Sequence, residues 1–402
     1  VFYSYEALCT PDLREGMVFR ATIGEITPTH IVLRLRAPQT NPRIFDRRST
    51  HVWAIEPDLM EASATALYRG LYAFLSGEKH RRRLLTHTCT ARVDTTRKRQ
   101  LSFDTPELDT LVEKAVQARD FFLLVGPPGT GKTSYGLMSL LKEELATAEH
   151  QVLLGAFTNR AVDEICSKLV AAGLDFLRIG NALTCSEEYL PYLLENRTSE
   201  KKNVAEITQL LQTMRVVVGT TASLSAATSL FALKHFSLAI IDEASQLLEP
   251  HLLPLLMAEH HGQLAVERFV FIGDHKQLPA VVQQSERESQ VDDARLHKMG
   301  LTNCRCSLFE RLIQILPERC VHAFHRQGRM HPEVARFANV HFYGGLLRPI
   351  PLDHQRVVSP YRRVMFYPCV PDESSTFTPK TNQAEAQLIA HLCRQLYQEA
   401  QE

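Results

Sequence analysis

Residues 17–36, MVFRATIGEITPTHIVLRLR, alternate apolar and polar positions and are rich in β-branched side chains. Alternation of that kind predicts strands buried on one face, and Pro28 between two such runs predicts a hairpin of a small barrel or sheet. Residues 56–77 change period: Leu59, Ala62, Ala66, Leu67, Gly70, Leu71 and Phe74 recur at helical spacing, with Pro57 suited to a first turn and Gly77 to a C-terminal stop. From about residue 105 the rhythm changes again. Continuous apolar runs, FFLLV at 121, QVLLGAF at 151, RVVVGT at 215, LAIID at 238 and RFVFIGD at 268, alternate with helical stretches such as 159–172 and 203–214. Uninterrupted runs are the mark of strands covered on both faces, and their alternation with helices predicts an α/β domain around a parallel sheet. A further strand is expected at 363–370, RVMFYPCV, and a last helix over 381–402.

Composition narrows the class without naming it. The 402 residues are 45% hydrophobic and 22% charged, enough for two or three soluble domains. Lys plus Arg and Asp plus Glu balance at 45 each, which argues against a generally basic nucleic-acid packager but leaves room for a local basic groove. The short basic runs Lys79-His80-Arg81-Arg82-Arg83 and Arg97-Lys98-Arg99 fit a solvated face or a phosphate contact equally. Nine scattered cysteines without a C-x-x-C fit reduced thiols in a cytosolic or nuclear setting, and a cytoplasmic location is expected. No apolar run approaches a membrane span, so no membrane partner is expected. The N-terminus is not a signal peptide and lacks an initiator Met, and the chain reads as a fragment of something longer.

The strand at 121 runs into VGPPGTGKTS, which fits G-x-x-x-x-G-K-[ST]. Gly126, Gly129 and Gly131, with Pro127, Pro128 and Thr130 between them, allow backbone amides to turn toward a phosphate. Lys132 would reach the β- and γ-phosphates, the Thr133 hydroxyl would hold Mg²⁺, and Ser134 continues the loop into a helix. Such a loop needs acids on another strand. LAIIDEASQ supplies Asp242 as a Mg²⁺ partner through its water shell, and Glu243 to orient or deprotonate the attacking water. The next strand ends in FIGDHKQLPA, where Gln277 suits sensing of a γ-phosphate or its water. ATP and Mg²⁺ are therefore the expected cofactors. Thr158-Asn159 and Thr220-Thr221 each follow a strand and open a helix, a geometry that serves a nucleic-acid phosphate or a plain N-cap equally well. Residues 322–335, HAFHRQGRMHPEVA, hold His322, His325 and His331, but without nearby Cys ligands they make a poor zinc site.

In order, GPPGTGKT, AFTNRAVDEI, VVVGTTASLSA, DEASQ, GDHKQLP and RQGRMHPEVARFANVHFYGG resemble the successive motifs of superfamily 1 helicases that move 5′ to 3′. Within them the chain is similar to the group holding the nonsense-mediated-decay helicase and the flap-processing nuclease-helicase, particularly the bacterial relatives of the latter. The motifs run from residue 126 to about 386. The resemblance implies a RecA-like ATPase lobe over 101–322 and the incomplete start of a second RecA-like lobe over 323–402. A small β-barrel at 1–55 and a helical stalk at 56–100 match in layout only. It further implies an ATP-driven helicase acting on single-stranded nucleic acid, DNA favoured over RNA, with a nuclease module possible upstream in cis. By the same resemblance Arg329 reads the γ-phosphate, while His331 and Pro332 shape the turn after it. The residues Thr158, Asn159, Thr220 and Thr221 would line the strand path. A truncated second lobe would leave hydrolysis poor and strand displacement absent. Two departures stand out. The family usually places a Tyr before that Arg, to stack on adenine, where this chain has Gly328. It also usually has an adenine-reading Gln upstream of the P-loop, where this chain has Val112.

Overall fold

The computed structural model describes residues 1–6, 9, 17–37, 39–45, 50–57, 62–282, 284–356, 364, 366–368 and 382–399. Half of the strand expected at 363–370 lies outside the described residues, and its described positions carry no strand. The chain divides into two compact units. The first comprises 1–124 and 133–322, the second 125–132 and 323–402.

The first unit begins with β1 (Phe2–Glu6), β2 (Val18–Phe19), β3 (Ala21–Ile26), β4 (Ile31–Leu35) and β5 (His51–Ile55). β1 pairs antiparallel with both β2 and β5, and β3 with β4 forms the hairpin that the alternation predicts, bulged between Ile23 and Glu25. Phe2, Phe19, Phe45 and Trp53 pack their rings together on the three-stranded sheet. Helix α1 (Ala62–Ser76) stops at Gly77, whose amide donates to the Ala73 carbonyl at 2.7 Å. The expected start of that helix, at 58–61, lies outside the described residues, and Pro57 is not helical.

Helix α2 (Lys79–Leu85) contains the first basic run, and neither reading of that run holds for Arg81. Its guanidinium is 1% exposed, lies about midway between the Phe121 and Phe269 rings at 5.2 and 5.0 Å, and donates to the carbonyls of Leu256, Val266 and Glu267. Burial pushes it down to about 10. In the second run Lys98 pairs with Glu113 and Arg99 with Asp109.

After α3 (Pro106–Gln117) come β6 (Phe121–Val125), α4 (Met138–Leu145), β7 (Val152–Ala156), α5 (Asn159–Ala171), β8 (Leu177–Ile179), α6 (Leu194–Thr198), α7 (Val204–Thr213), β9 (Val216–Thr220), α8 (Thr221–Ala226), α9 (Thr228–Leu233) and β10 (Phe236–Asp242). The unit continues through α10 (Glu249–Leu256), a two-residue hairpin pair β11 (Glu259–His260) and β12 (Gln263–Leu264), β13 (Val266–Gly273), α11 (Ala294–Lys298), α12 (Leu308–Ile315) and β14 (Val321–Ala323). The seven-stranded sheet has the order β14-β6-β13-β10-β7-β9-β8, and the pairings of β7, β8, β9, β10 and β13 are parallel. Every residue of β7, β9 and β10 is buried, as the unbroken apolar runs require. One strand, β13, separates the P-loop strand from the acid-bearing β10, the RecA-like order.

Residues 181–202 cover the β8 edge. Tyr192 stacks on Phe176 with centroids 4.2 Å apart, Arg197 lies over Tyr192, and Leu193 bridges to Arg178.

The second unit contains β15 (Arg326–Gln327) paired in parallel with β16 (Arg348–Pro349), α13 (Pro332–Phe342), α14 (Asp353–Arg356) and α15 (Gln383–Glu399). Asn382 starts α15 by accepting the Glu385 amide at 3.1 Å, close to where the sequence places the last helix. Positions 381 and 400–402 of that helix lie outside the described residues. Among the described residues no helix is long and apolar enough to cross a membrane.

Candidate nucleotide site

In the first unit the β10 strand carries Asp242 to its C-terminal end, 4% exposed. Its Oδ2 accepts from the Thr133 hydroxyl at 2.7 Å, and its Oδ1 accepts from the Glu243 backbone amide at 2.8 Å. Residues 109 positions apart are joined, each of a type that coordinates Mg²⁺. Glu243 takes a left-handed backbone, φ 53°, ψ 32°. For a residue with a Cβ this costs on the order of 1–2 kcal/mol, and it turns the chain sharply as the strand ends.

The neighbouring β13 ends against that turn. A Cβ on Gly273 would lie 3.0 Å from the Ser245 amide nitrogen, so a larger residue there would press on the turn by a few tenths of an ångström. The Ser245 hydroxyl accepts the Asp274 amide at 3.2 Å. Asp274 then organises the loop: its carboxylate accepts from the Lys276 amide at 3.0 Å and from Gln277 Nε2 at 3.0 Å. Gln277 is otherwise exposed, a side chain held at its base by an acid. His275 between them is pushed below the ordinary histidine range by burial and then by Lys276.

Thr158 and Thr220 are both N-caps. The Thr158 hydroxyl accepts the Ala161 amide at 3.2 Å, and the Thr220 hydroxyl accepts the Ser223 amide at 3.1 Å. Asn159, the first residue of α5, is half-buried, while Thr221 is 2% exposed. The Thr220 and Thr221 side chains are enclosed in this conformation, so a strand contact there would have to use backbone groups.

In the second unit Gly126 through Lys132 close on themselves. The Thr130 hydroxyl donates to the Pro127 carbonyl at 2.8 Å, and Lys132 Nζ donates to the Gly126 carbonyl and, at 3.2 Å, to that of Pro127. Gly129 and Gly131 have φ of 76° and 84°, the left-handed region that a phosphate-cradling turn uses. Pro128 and Gly131 are half-buried, and Ser134, back in the first unit, is half-buried in the helical turn that follows. Arg329 packs its backbone and Cβ against Gly129, where any Cβ would collide with it.

The turn that presents Arg329 is built chiefly by Gln327, which the sequence reading missed. Gln327 Oε1 accepts the amides of Arg329 and Met330 at 3.1 and 2.8 Å, its Nε2 donates to the Met330 carbonyl, and Gln355 donates to the carbonyls of both Gln327 and Met330. His331 caps α13 through the Glu333 amide, and Pro332 occupies the first helical position. A signal for Gln327 was available in its place two residues before the arginine, but nothing in the sequence shows that it is buried.

One family model described as an AAA domain matches residues 104–216 and 196–285, and a second, also described as an AAA domain, matches 304–402. The DNA replication ATP-dependent helicase/nuclease JHS1 of Arabidopsis thaliana is 29% identical over 347 residues, covering 82% of this chain and 24% of that protein. The DNA replication ATP-dependent helicase/nuclease DNA2 of Gallus gallus is 33% identical over 238 residues, 59% of this chain and 22% of that protein. The Schizosaccharomyces pombe relative of the same description is 32% identical over 238 residues, 59% and 15%. The chain spans about a quarter or less of the length of these curated relatives. The ordered motifs, the RecA-like sheet and these matches agree in supporting a superfamily 1 helicase, of the wider group that holds the DNA replication helicase/nucleases and the nonsense-mediated-decay helicase.

Proposed function

We propose that this chain is the nucleotide-hydrolysing part of a helicase that moves 5′ to 3′ on single-stranded DNA. The observation that carries the reading is the hydrogen bond between Thr133 and Asp242. A hydroxyl and a carboxylate already held together need little rearrangement to share a Mg²⁺ ion, the hydroxyl directly and the carboxylate through water. Both residues fit that ion by donor chemistry, hard oxygen ligands at the end of a buried strand. When bound, Mg²⁺ would neutralise charge on the β- and γ-phosphates. Glu243, next in the chain, would take the proton of the attacking water. Lys132 would exchange its present carbonyl partners for phosphate oxygens, Gln277 would sense the γ-phosphate, and Arg329 would add positive charge to it in the transition state. Gly126, Pro127, Pro128, Gly129, Thr130, Gly131 and Ser134 would form the phosphate cradle. The strand path would run past Thr158, Asn159, Thr220 and Thr221.

DNA as the partner rests on the names of the relatives, which are DNA replication helicase/nucleases, and its single-stranded form on the resemblance of the motifs. The same likeness is the support for proposing a nuclease module in cis. The test is ATP hydrolysis by this chain with and without single-stranded DNA, and with single-stranded RNA of the same sequence. Stimulation by DNA above that by RNA supports the reading. Hydrolysis indifferent to both polymers would leave a nucleotide switch instead of a motor.

A further inference from the structure

Away from the nucleotide-binding elements, one cluster in the first unit joins a nucleophile, a base and a buried acid. Cys89 lies in the turn after α2. His87 there has φ 50°, and the amides of Thr88 and Cys89 both donate to the Arg83 carbonyl, at 2.8 and 3.3 Å. This turn folds Cys89 back over α2, so that its Sγ lies 3.9 Å from His80 Nδ1. On the far side of the ring, His80 Nε2 lies 3.1 Å from Asp120 Oδ1. Asp120, 2% exposed, immediately precedes β6. Arg92 grips its carboxylate through Nη2 at 2.6 Å, Nε at 3.1 and 3.2 Å, and the backbone amide at 2.7 Å.

These contacts decide the protons. Burial alone would raise the Asp120 carboxyl, but the bonds from Arg92 outweigh it and hold the group below the usual aspartate value. Asp120 is therefore an anion and only accepts. The ring nitrogen that faces it carries hydrogen, and in the neutral imidazole Nδ1 then holds the lone pair toward the thiol. Nucleophile, base and orienting acid stand in the relation that activates cysteine nucleophiles. The other charged and titratable groups around the cluster are Glu78, which caps α2 and interacts with both His80 and Arg92, and Arg81. Cys320, behind Asp120, is pushed up to about 11 by burial and then by that carboxylate, and stays a thiol.

We infer that Cys89 is a peroxide-reactive thiol, activated by His80 and Asp120, and a site of oxidative modification. The Cys89 proton passes to His80 Nδ1. The thiolate attacks one oxygen of hydrogen peroxide, the S–O bond forms as the O–O bond breaks, and the departing hydroxide takes the proton from His80 to leave as water. Cysteine is oxidised to the sulfenic acid and peroxide is reduced to water. Addition of oxygen at Sγ would crowd the ring that ties α2 to the start of β6.

The rival account is that His80, Asp120 and Arg92 are a structural clasp and Cys89 a bystander. Per-residue labelling separates the two. The native chain is given hydrogen peroxide in the presence of dimedone, which traps sulfenic acids, and each cysteine peptide is quantified by mass spectrometry over time. Cys9, Cys304 and Cys393 are exposed and serve as internal references, while Cys89 is only partly exposed. Accessibility alone therefore ranks Cys89 slowest of the four. The proposal expects it to label faster than the references by at least about tenfold, because His80 takes its proton as it reacts. His80→Gln should bring it down to the references while the chain keeps its melting transition. Should that variant fail to fold, the wild-type ranking of Cys89 against Cys304 and Cys393 decides. Labelling of Cys89 no faster than Cys304 or Cys393, or an unchanged rate in folded His80→Gln, would each overturn the proposal.

Discussion

The backbone amide of Gly328 donates to the carbonyl of Gly129 at 2.9 Å, fastening the third residue before His331 to the middle of the phosphate loop. The same approach brings Arg329 so near Gly129 that no Cβ fits between them. Gly129→Ala should therefore suffer twice, from a left-handed φ and from steric conflict with Arg329. Gly262 provides the control: its φ is 77°, close to that of Gly129, but nothing lies within 4 Å of where its Cβ would be. Gly262→Ala should cost only the backbone strain, on the order of 1 kcal/mol. Thermal unfolding and nucleotide titration of both variants check this. Gly129→Ala should lose nucleotide binding at least tenfold, a gap of about 1.4 kcal/mol, while Gly262→Ala keeps it. Equal binding by the two would mean that the Gly129–Arg329 contact does not shape the loop.

Glu243 can be separated from Lys132 by the step each would affect. Lys132→Ala removes the charge that faces phosphate and should lower both binding and turnover. Glu243→Gln keeps shape and hydrogen bonding but cannot accept a proton, so Mg²⁺-nucleotide should still bind while turnover falls by about 10²–10⁴. Equilibrium binding of a labelled nucleotide, beside single-turnover hydrolysis, distinguishes the two. Parental turnover by Glu243→Gln would remove it from the role of base.

Asp120 links this fold to pH. Its pKa is lowered on folding, because the bonds from Arg92 outweigh desolvation. Its contribution is thus fully present above the unfolded aspartate value, about 3.9, and is lost as pH falls through the lower folded value. Asp120→Asn should melt earlier than the parent near pH 6, and the gap should close as pH drops below about 4. Melting temperatures at stepped pH provide the measurement. A gap of constant size would show that the charge of Asp120 is not what stabilises the junction.

The parallel strands were legible because their chemistry is redundant: β7, β9 and β10 are buried at every position, so each reads as an unbroken apolar run. The three-residue strands β8 and β14 have too few side chains to show a period, and both escaped the sequence reading. Arg81 escaped for a different reason. A guanidinium in a basic run looks solvated, and only the fold reveals the two phenylalanine rings and three carbonyls that accept it. At the nucleotide site, glycine and lysine spacing is local and therefore visible. The Thr133–Asp242 bond could be anticipated only because each half lies in its own motif. The Cys89–His80–Asp120 cluster has no such motif, and its acid is 40 positions from its base.

Base recognition is the remaining property that the proposed site lets one forecast. Val112 is 0% exposed inside α3, so the position that resembles the family's adenine reader cannot touch a base. Gly328 offers no ring to stack on one. A Cβ there would lie 3.0 Å from Leu352 Cδ1 and 3.5 Å from Ile350 Cδ1, so aliphatic side chains stand where an aromatic one would begin. Methyl groups pack against any purine alike and make no hydrogen bond that distinguishes a 6-amino from a 6-oxo edge. Loss of a stacked ring and an edge hydrogen bond together removes on the order of 1–4 kcal/mol of base-dependent binding. GTP should therefore compete with ATP within about tenfold, a difference of about 1.4 kcal/mol. Gly328→Tyr should restore part of what is missing. Its backbone is not in the left-handed region, and Leu352, itself partly exposed, has only to shift by a few tenths of an ångström. That variant should bind ATP more tightly by roughly 1–3 kcal/mol, the value of one aromatic face on a base. Displacement of a fluorescent nucleotide by ATP and by GTP, for parent and variant, tests both statements. A parental preference for ATP of a hundredfold would mean that another residue reads the base. An unchanged ATP affinity in Gly328→Tyr would mean that the base does not lie over residue 328.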